Sequence, residues 1–169
     1  SIFSVNDLFE RKSSSKTIIT DISIFNNSIS NLPVEEREKY TDLMPPYATR
    51  INLGWKDKSV SFTFASPDFI NSAHVRYAYQ LEGLDKEWHY VTSSGRNVTY
   101  NNLSRGEYTF RVKAAGPSGI WTEPSSIIVK VIPAPWLSSG AIAGYVLLTL
   151  VAFCIIFYSI NSHLRLRQE

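Results

Sequence analysis

The sequence predicts an all-β, antiparallel sandwich followed by a single transmembrane α-helix. Three observations carry that expectation. A stretch from Trp136 to Ile160 is apolar and holds no Asp, Glu, Lys or Arg. Between Thr17 and Pro133, apolar residues alternate with polar ones in short runs. Turn-forming clusters separate those runs at the spacing of an all-β domain.

The apolar stretch reads WLSSGAIAGYVLLTLVAFCIIFYSI. At 1.5 Å per residue it forms a helix of about 36 Å, enough to cross a bilayer core with some tilt. The remaining chain is too small to wrap a helix that is apolar on every side. Its place near the C-terminal end argues against a signal peptide. Trp136 and Tyr158 stand near its two boundaries, where amphipathic rings favour the headgroup level. His163, Arg165 and Arg167 follow it, so the positive-inside bias puts that end in the cytoplasm and residues 1–135 outside. Gly140 and Gly144 form a G-x-x-x-G on the outer half, a spacing that permits close helix pairing.

Composition fits this division. The chain is 44% hydrophobic and 13% aromatic, and without the span the remainder suits one domain with its own core. A net charge of +2 is too small to point to a nucleic-acid partner. The one cysteine, Cys154, lies in the span, so the outer domain is held by its core alone, as fits a bacterial envelope. The chain starts without an export signal and stops a few residues past the span. It is expected to be a fragment of a longer protein.

In chain order, residues 1–16 read as the tail of a preceding domain and a linker. Ile2, Phe3, Val5, Leu8 and Phe9 are apolar and precede a polar run ending at Lys16. Either a last strand or a short amphipathic helix suits the apolar part. TIITDISIF, from Thr17 to Phe25, is rich in β-branched residues and reads as the first strand, with a turn at Asn26-Asn27-Ser28. Asn31 to Tyr47 breaks the pattern. Pro33 followed by early acids and later bases suits one or two helical turns, ended at Met44-Pro45-Pro46, in a surface insertion. Strands are then expected around Ile51–Leu53, Val60–Phe64, Val75–Leu81, Asn97–Asn101, Tyr108–Ala114 and Ile127–Val131, making about seven in all. Residues 17–133 form the sandwich domain, 136–160 the transmembrane helix and 161–169 the start of a cytoplasmic segment.

Leu103 to Val112, LSRGEYTFRV, looks like the tyrosine corner of immunoglobulin-like and fibronectin type III sandwiches. There the ring of Tyr108 packs in the core and its hydroxyl bonds upstream backbone. The longer pattern is more specific. It runs through YAYQLEGLDKEW at Tyr77–Trp88, VTYNNL at Val98–Leu103, GEYTFRVKA at Gly106–Ala114, Gly119-Ile120-Trp121 and Pro133-Ala134-Pro135-Trp136. From about Ile51 to Trp136 the chain resembles the triple-tyrosine (Y_Y_Y) domain of bacterial hybrid two-component sensors. That resemblance implies a β-propeller upstream, a histidine kinase downstream and sensing of glycan breakdown products. Tyr79, Trp88, Tyr100, Tyr108 and Trp121 are then structural residues.

Catalytic motifs are lacking. The sequence holds no Gly-rich phosphate loop, G-x-S-x-G, H-E-x-x-H or Cys pair, and no cofactor is expected. His74 and His89 read as surface or strand-end residues, and His163 lacks the surroundings of a phosphoacceptor. Glu82, Asp85 and Glu87 read as a solvated turn. Trp88 and Trp121 could stack on a sugar ring, but anchoring loops onto the sandwich is the more ordinary role. The Asn-x-Ser/Thr triplets at Asn26, Asn97 and Asn102 carry no meaning in a bacterial protein.

The resemblance favours a periplasmic signal-coupling module of a sensor kinase over a membrane-anchored adhesion or carbohydrate-binding module. An envelope enzyme comes last. Pro133, Pro135 and Trp136 form a stiff joint between the last strand and the membrane, because each proline fixes φ and restricts its predecessor. The expected partners are a second copy of the chain, the upstream propeller, the lipid bilayer, and an oligosaccharide bound mainly outside this fragment.

Overall fold

The computed structural model describes residues 16–57, 59–67, 74–117 and 119–166, with side chains as far as residue 161. The candidate strand Ile2–Phe9, and the side chains of His163, Arg165 and Arg167, lie outside that description. The chain divides into two compact units between Ile132 and Pro133.

The first unit is a two-sheet sandwich. Its strands are β1 (Ile18–Ile24), β2 (Asn27–Ser28), β3 (Arg50–Leu53), β4 (Ser59–Ala65), β5 (Arg76–Glu82), β6 (His89–Thr92), β7 (Asn97–Asn101), β8 (Gly106–Ala115) and β9 (Ser125–Val131). One sheet has the order β2-β1-β4-β7 and the other β3-β9-β8-β5-β6. Alternation decides which side chains meet between them. β4 turns Val60, Phe62 and Phe64 inward, and β8 turns Tyr108, Phe110, Val112 and Ala114 inward. Phe62 and Phe110 stack across the sandwich at 4.2 Å between ring centroids and 9° between planes. Ile22, Ile51, Leu53, Leu81, Ile127 and Val129 fill the space around that pair.

Three features depart from the sequence-based expectation. β3 and β9 pair in parallel, with Ile51 opposite Val129 and Leu53 opposite Val131, so the second sheet is mixed rather than antiparallel throughout. β3 reaches that edge from the first sheet through the long segment 29–49. No hairpin ties it to β9, and nothing imposes an antiparallel pairing. Two short strands also escape the pattern: β2 is only two residues long, and β6 is an edge strand with no buried side chain to mark a face. Finally, the helix after Pro33, α1 (Val34–Arg37), is one turn as the residues suggested but stops well before Met44.

Local chemistry shapes the first strand and the insertion. A bulge between Ile19 and Asp21 shifts the register, which lets Ile19, Ile22 and Ile24 all face the core. Phe25 and Asn26 then turn the chain into β2 with φ of 49° and 64°, the backbone of a type I′ hairpin. Asp21 holds this hairpin by accepting hydrogen bonds from Ser23 at 3.0 Å and Ser28 at 2.5 Å. Ile29 is fully buried and pins the start of the insertion to the core. Its far part is clipped to β3: the Asn52 amide donates to the Tyr40 carbonyl at 2.7 Å, and the Tyr40 hydroxyl donates to Asp57 at 3.4 Å.

The second unit begins with a 3-10 turn at Pro135–Leu137 and continues as α2 (Ser139–Leu166). Ser138 is extended and caps the helix, its hydroxyl accepting from the Ala141 amide at 3.3 Å. Residues Ser139–Asn161 are long and apolar enough to cross a membrane. The helix starts three residues after the expected Trp136, because Pro135-Trp136-Leu137 is wound as the tighter turn.

Tyr108 shows the corner geometry. Its ring is 9% exposed, and its hydroxyl donates to the Ser104 carbonyl at 3.1 Å. Gly106, at φ 154°, leads the chain from that loop into β8. Tyr108→Phe should destabilise the sandwich by about 1–3 kcal/mol, since it strips a part-buried carbonyl of its donor. Equilibrium urea unfolding checks this; an unchanged midpoint would mean that the hydroxyl bond contributes nothing.

Candidate functional site

The tyrosine-rich pattern converges on Asp85. β5 ends at Glu82, and Gly83, at φ 100°, reverses the chain in the left-handed region that favours glycine. A Cβ at Gly83 would meet the Tyr108 ring at 3.0 Å, so this turn and the corner need each other's shape. The reversal brings Asp85 back against β5. Its Oδ2 accepts from the Leu81 amide at 2.8 Å and from the Tyr100 hydroxyl at 2.8 Å, while Oδ1 lies 3.4 Å from His89 Nε2. The Asp85 side chain is only 13% exposed.

The expectation of a solvated acidic turn is therefore corrected for Asp85, which is an internal acceptor. Glu82 faces outward and pairs with Arg111 at 3.3 Å, and Glu87 is exposed. No cluster of three or more metal-ligating side chains occurs among the described residues.

Tyr100 belongs to β7 of the first sheet and Leu81 to β5 of the second, so Asp85 bridges the two layers. Burial raises the pKa of Tyr100 strongly, and its hydrogen bond to Asp85 adds to this. Burial followed by the Asp85 charge also raises that of Tyr79. Tyr79 is half-buried, stacks on His89 at 5.3 Å and lies 6.4 Å from Phe110. His89 is thus tied into this cluster, beyond the strand-end role expected of it.

Trp88 and Trp121 lie on the other side of the same sheet. Lys113 Nζ sits 4.3 Å from the Trp88 ring and 5.1 Å from the Trp121 ring, a cation held between two aromatic faces. Tyr90 meets Trp121 edge to face at 5.7 Å. Ala78, between Tyr90 and Lys113 in the register, is fully buried although it points outward. Trp121 is set there by its bridge to Ala115, and the Thr122 amide donates to the Ala114 carbonyl at 2.8 Å. Arg76, Tyr90, Val91, Thr92 and Trp121 line an open cleft of about 220 Å³. Sequence reasoning found the two tryptophans but missed Lys113 and Tyr90. The signal for Lys113 was its outward parity in β8, opposite the small Ala78 in β5; β6 shows no alternation that would have placed Tyr90.

In the second unit Pro133 and Pro135 are exposed, and Pro135 and Trp136 open the 3-10 turn. Nothing lies within 4 Å of a Cβ built on Gly140 or Gly144, so that face of α2 is open to close approach.

Residues 68–133 match the Y_Y_Y domain family model. That match takes in β5 to β9 of the sandwich, and one apolar helix follows it. Over 155 residues it is 30% identical to histidine kinase P4 of Formosa agariphila, covering 91% of this chain and 11% of that protein. Among solved structures it is similar to an extracellular domain assigned to the hybrid two component system BT4673 of B. thetaiotaomicron. That match has a TM-score of 0.58 and 26% identity, over 73% of this chain and 16% of the other. A second such domain, assigned to BT3049 of the same organism, matches with a TM-score of 0.55 and 25% identity over 78% of this chain and 17% of the other. The chain thus spans a small part of each of these relatives.

The Tyr100–Asp85 bond has a pH signature. A tyrosine whose folded pKa is raised above 10.0 favours the folded state fully below pH 10. That stability is lost as pH climbs above this value, where the unfolded chain ionises first. The melting temperature should fall steeply above about pH 10 in the wild type and less steeply in Tyr100→Phe, which should also be less stable at neutral pH. Parallel alkaline slopes would show that another group carries the effect.

Proposed function

We propose that this chain is the periplasmic signal-coupling module of a membrane sensor histidine kinase. It passes a glycan-binding signal from an upstream sensor domain to a cytoplasmic kinase through paired α2 helices. The similarity to a histidine kinase and to extracellular domains of hybrid two component systems supports the class. The observation that carries the coupling role is the seating of β9. This strand is bonded along both edges, in parallel to β3 and antiparallel to β8. It is also the strand that continues toward α2. A displacement of the second sheet therefore reaches Val131 without slack, and the short proline-bearing segment Pro133–Trp136 has few free dihedrals in which to absorb it. The bilayer is the medium that α2 crosses, with residues 1–135 outside and the end beyond residue 161 in the cytoplasm.

Pairing follows from the single span. One isolated helix rotates and tilts freely in lipid, whereas two have a relative distance, angle and register that can be bistable. The Gly140–Gly144 face permits such a pair. Ligand binding upstream shifts it only by favouring one geometry over the other.

Replacing Pro133 and Pro135 by Gly should leave the sandwich folded and weaken ligand-dependent kinase output in the full receptor. Output at the wild-type level would remove the joint as a mechanical coupler. Single cysteines at Ala134 or Ser138, with Cys154 replaced, should cross-link between chains in membranes, and the pattern should change on adding ligand. No inter-chain product at either position, with or without ligand, would sink the paired-helix model.

A further inference from the structure

The strand registers gather several turns at one end of the sandwich. Val131, the last residue of β9, pairs with Gly106 and Leu53. This brings the turn after β3 (residues 54–57) and the loop before β8 (residues 102–105) to that end. β5 delivers Leu84 and Lys86 there, since Glu82 lies opposite Thr109 near the start of β8. In the first sheet, Ile24 pairs with Val60 and Ser59 with Asn101, so the Phe25–Asn26 hairpin arrives at the same end.

What these turns expose is unusual for loops. Phe25 is 54% exposed, Trp55 39%, Leu84 53%, and Ile132, at the chain's exit, 47%. Phe25 keeps a bulky apolar side chain at positive φ, where Asn or Gly fits with less strain. Exposed Lys56, Lys86 and Arg105 flank them, with Lys56 Nζ 5.0 Å from the Trp55 ring. Of the acids in the same turns, Asp57 is engaged by the Gly54 amide at 2.7 Å and by Tyr40. Asp85 is internal, and Glu87 is exposed.

Chain length says what lies nearby. Only residues 132–138 separate β9 from the first residue of α2. At no more than about 3.5 Å per residue this tether cannot exceed roughly 28 Å, and the 3-10 turn at Pro135–Leu137 shortens it. If α2 spans the bilayer, as proposed above, this end of the sandwich cannot leave the neighbourhood of the lipid surface. Aromatic and aliphatic side chains mixed with Lys and Arg are the chemistry that the headgroup layer accepts.

We propose that the exit end of the sandwich is a lipid-docking face. Phe25, Trp55 and Leu84 rest in the headgroup layer of the bilayer that α2 crosses, and Lys56, Lys86 and Arg105 meet the lipid phosphates. The sandwich is then held to the membrane at several points rather than hanging from one tether.

The test uses the whole chain with Cys154→Ser, reconstituted in vesicles of phosphatidylethanolamine and phosphatidylglycerol that carry a headgroup-level nitroxide lipid. An environment-sensitive fluorophore is placed on Asn26→Cys or Glu87→Cys, which keep the apolar and basic side chains. Ile120→Cys, in a loop at the opposite end, and Val151→Cys, within the span and read with a nitroxide deep in the acyl chains, serve as controls. Quenching at positions 26 and 87 should be several-fold stronger than at 120. It should fall toward the level at 120 when Trp55→Ser and Leu84→Ser are added. Equal quenching at 26, 87 and 120, with position 151 still quenched, would overturn the docking face and leave the span intact. Loss of quenching at 151 as well would overturn both. Energy transfer between copies labelled at position 87, without lipid quenching there, would assign the face to a second copy and overturn the proposal.

Discussion

Asp85 is the constraint on which the sandwich turns. One carboxylate accepts from the backbone of β5 and from the hydroxyl of Tyr100 on β7, and it approaches His89 at the start of β6. A part-buried carboxylate is costly unless it is bonded, and donors from both sheets satisfy this one. The hydrophobic core could tolerate small slides of one layer over the other, because burial is non-directional. The Asp85–Tyr100 bond is directional, so it sets the register between layers that the Phe62–Phe110 stack then fills. Gly83 is required because the reversal before Asp85 needs positive φ and because Tyr108 leaves no room for a side chain there.

From that constraint the two faces of the second sheet separate in role. The inner face joins the shared core. The outer face carries Trp88, Tyr90 and Trp121 around Lys113, an assembly that covers Ala78. Arg111 and Glu82 continue the same face as an exposed pair, which adds little stability in water. The sheet is thus shielded on its outer side by amphipathic side chains that leave their polar ends wet.

Much of this was legible in the residues, and the limits have physical causes. Alternation revealed β4, β5, β8 and β9, because each sets its large apolar side chains on one face over at least seven residues. It could not reveal β2, which spans two residues, or β6, which buries no side chain. The parity of β3 was visible and its direction was not: period 2 is the same whichever way the strand runs. Tyr108 was legible because its corner is a local motif whose hydrogen bond reaches back only four positions. Asp85 was not, since its meaning comes from Tyr100, fifteen positions away and on the other sheet. The acidic character of YQLEGLDKE masks that one of its carboxylates points inward.

The seating of β9 has a mechanical consequence. Its backbone bonds to β3 and β8 lie across the strand, so a pull along the chain from the membrane side loads them in shear. Bonds sheared together share the load and must give way collectively, whereas bonds peeled from a hairpin fail one by one. The parallel neighbour matters here: β3 is not joined to β9 by a turn, so it cannot be peeled away from that turn. A small tug on this strand therefore travels through the sheet as a nearly rigid displacement rather than being spent in local fraying.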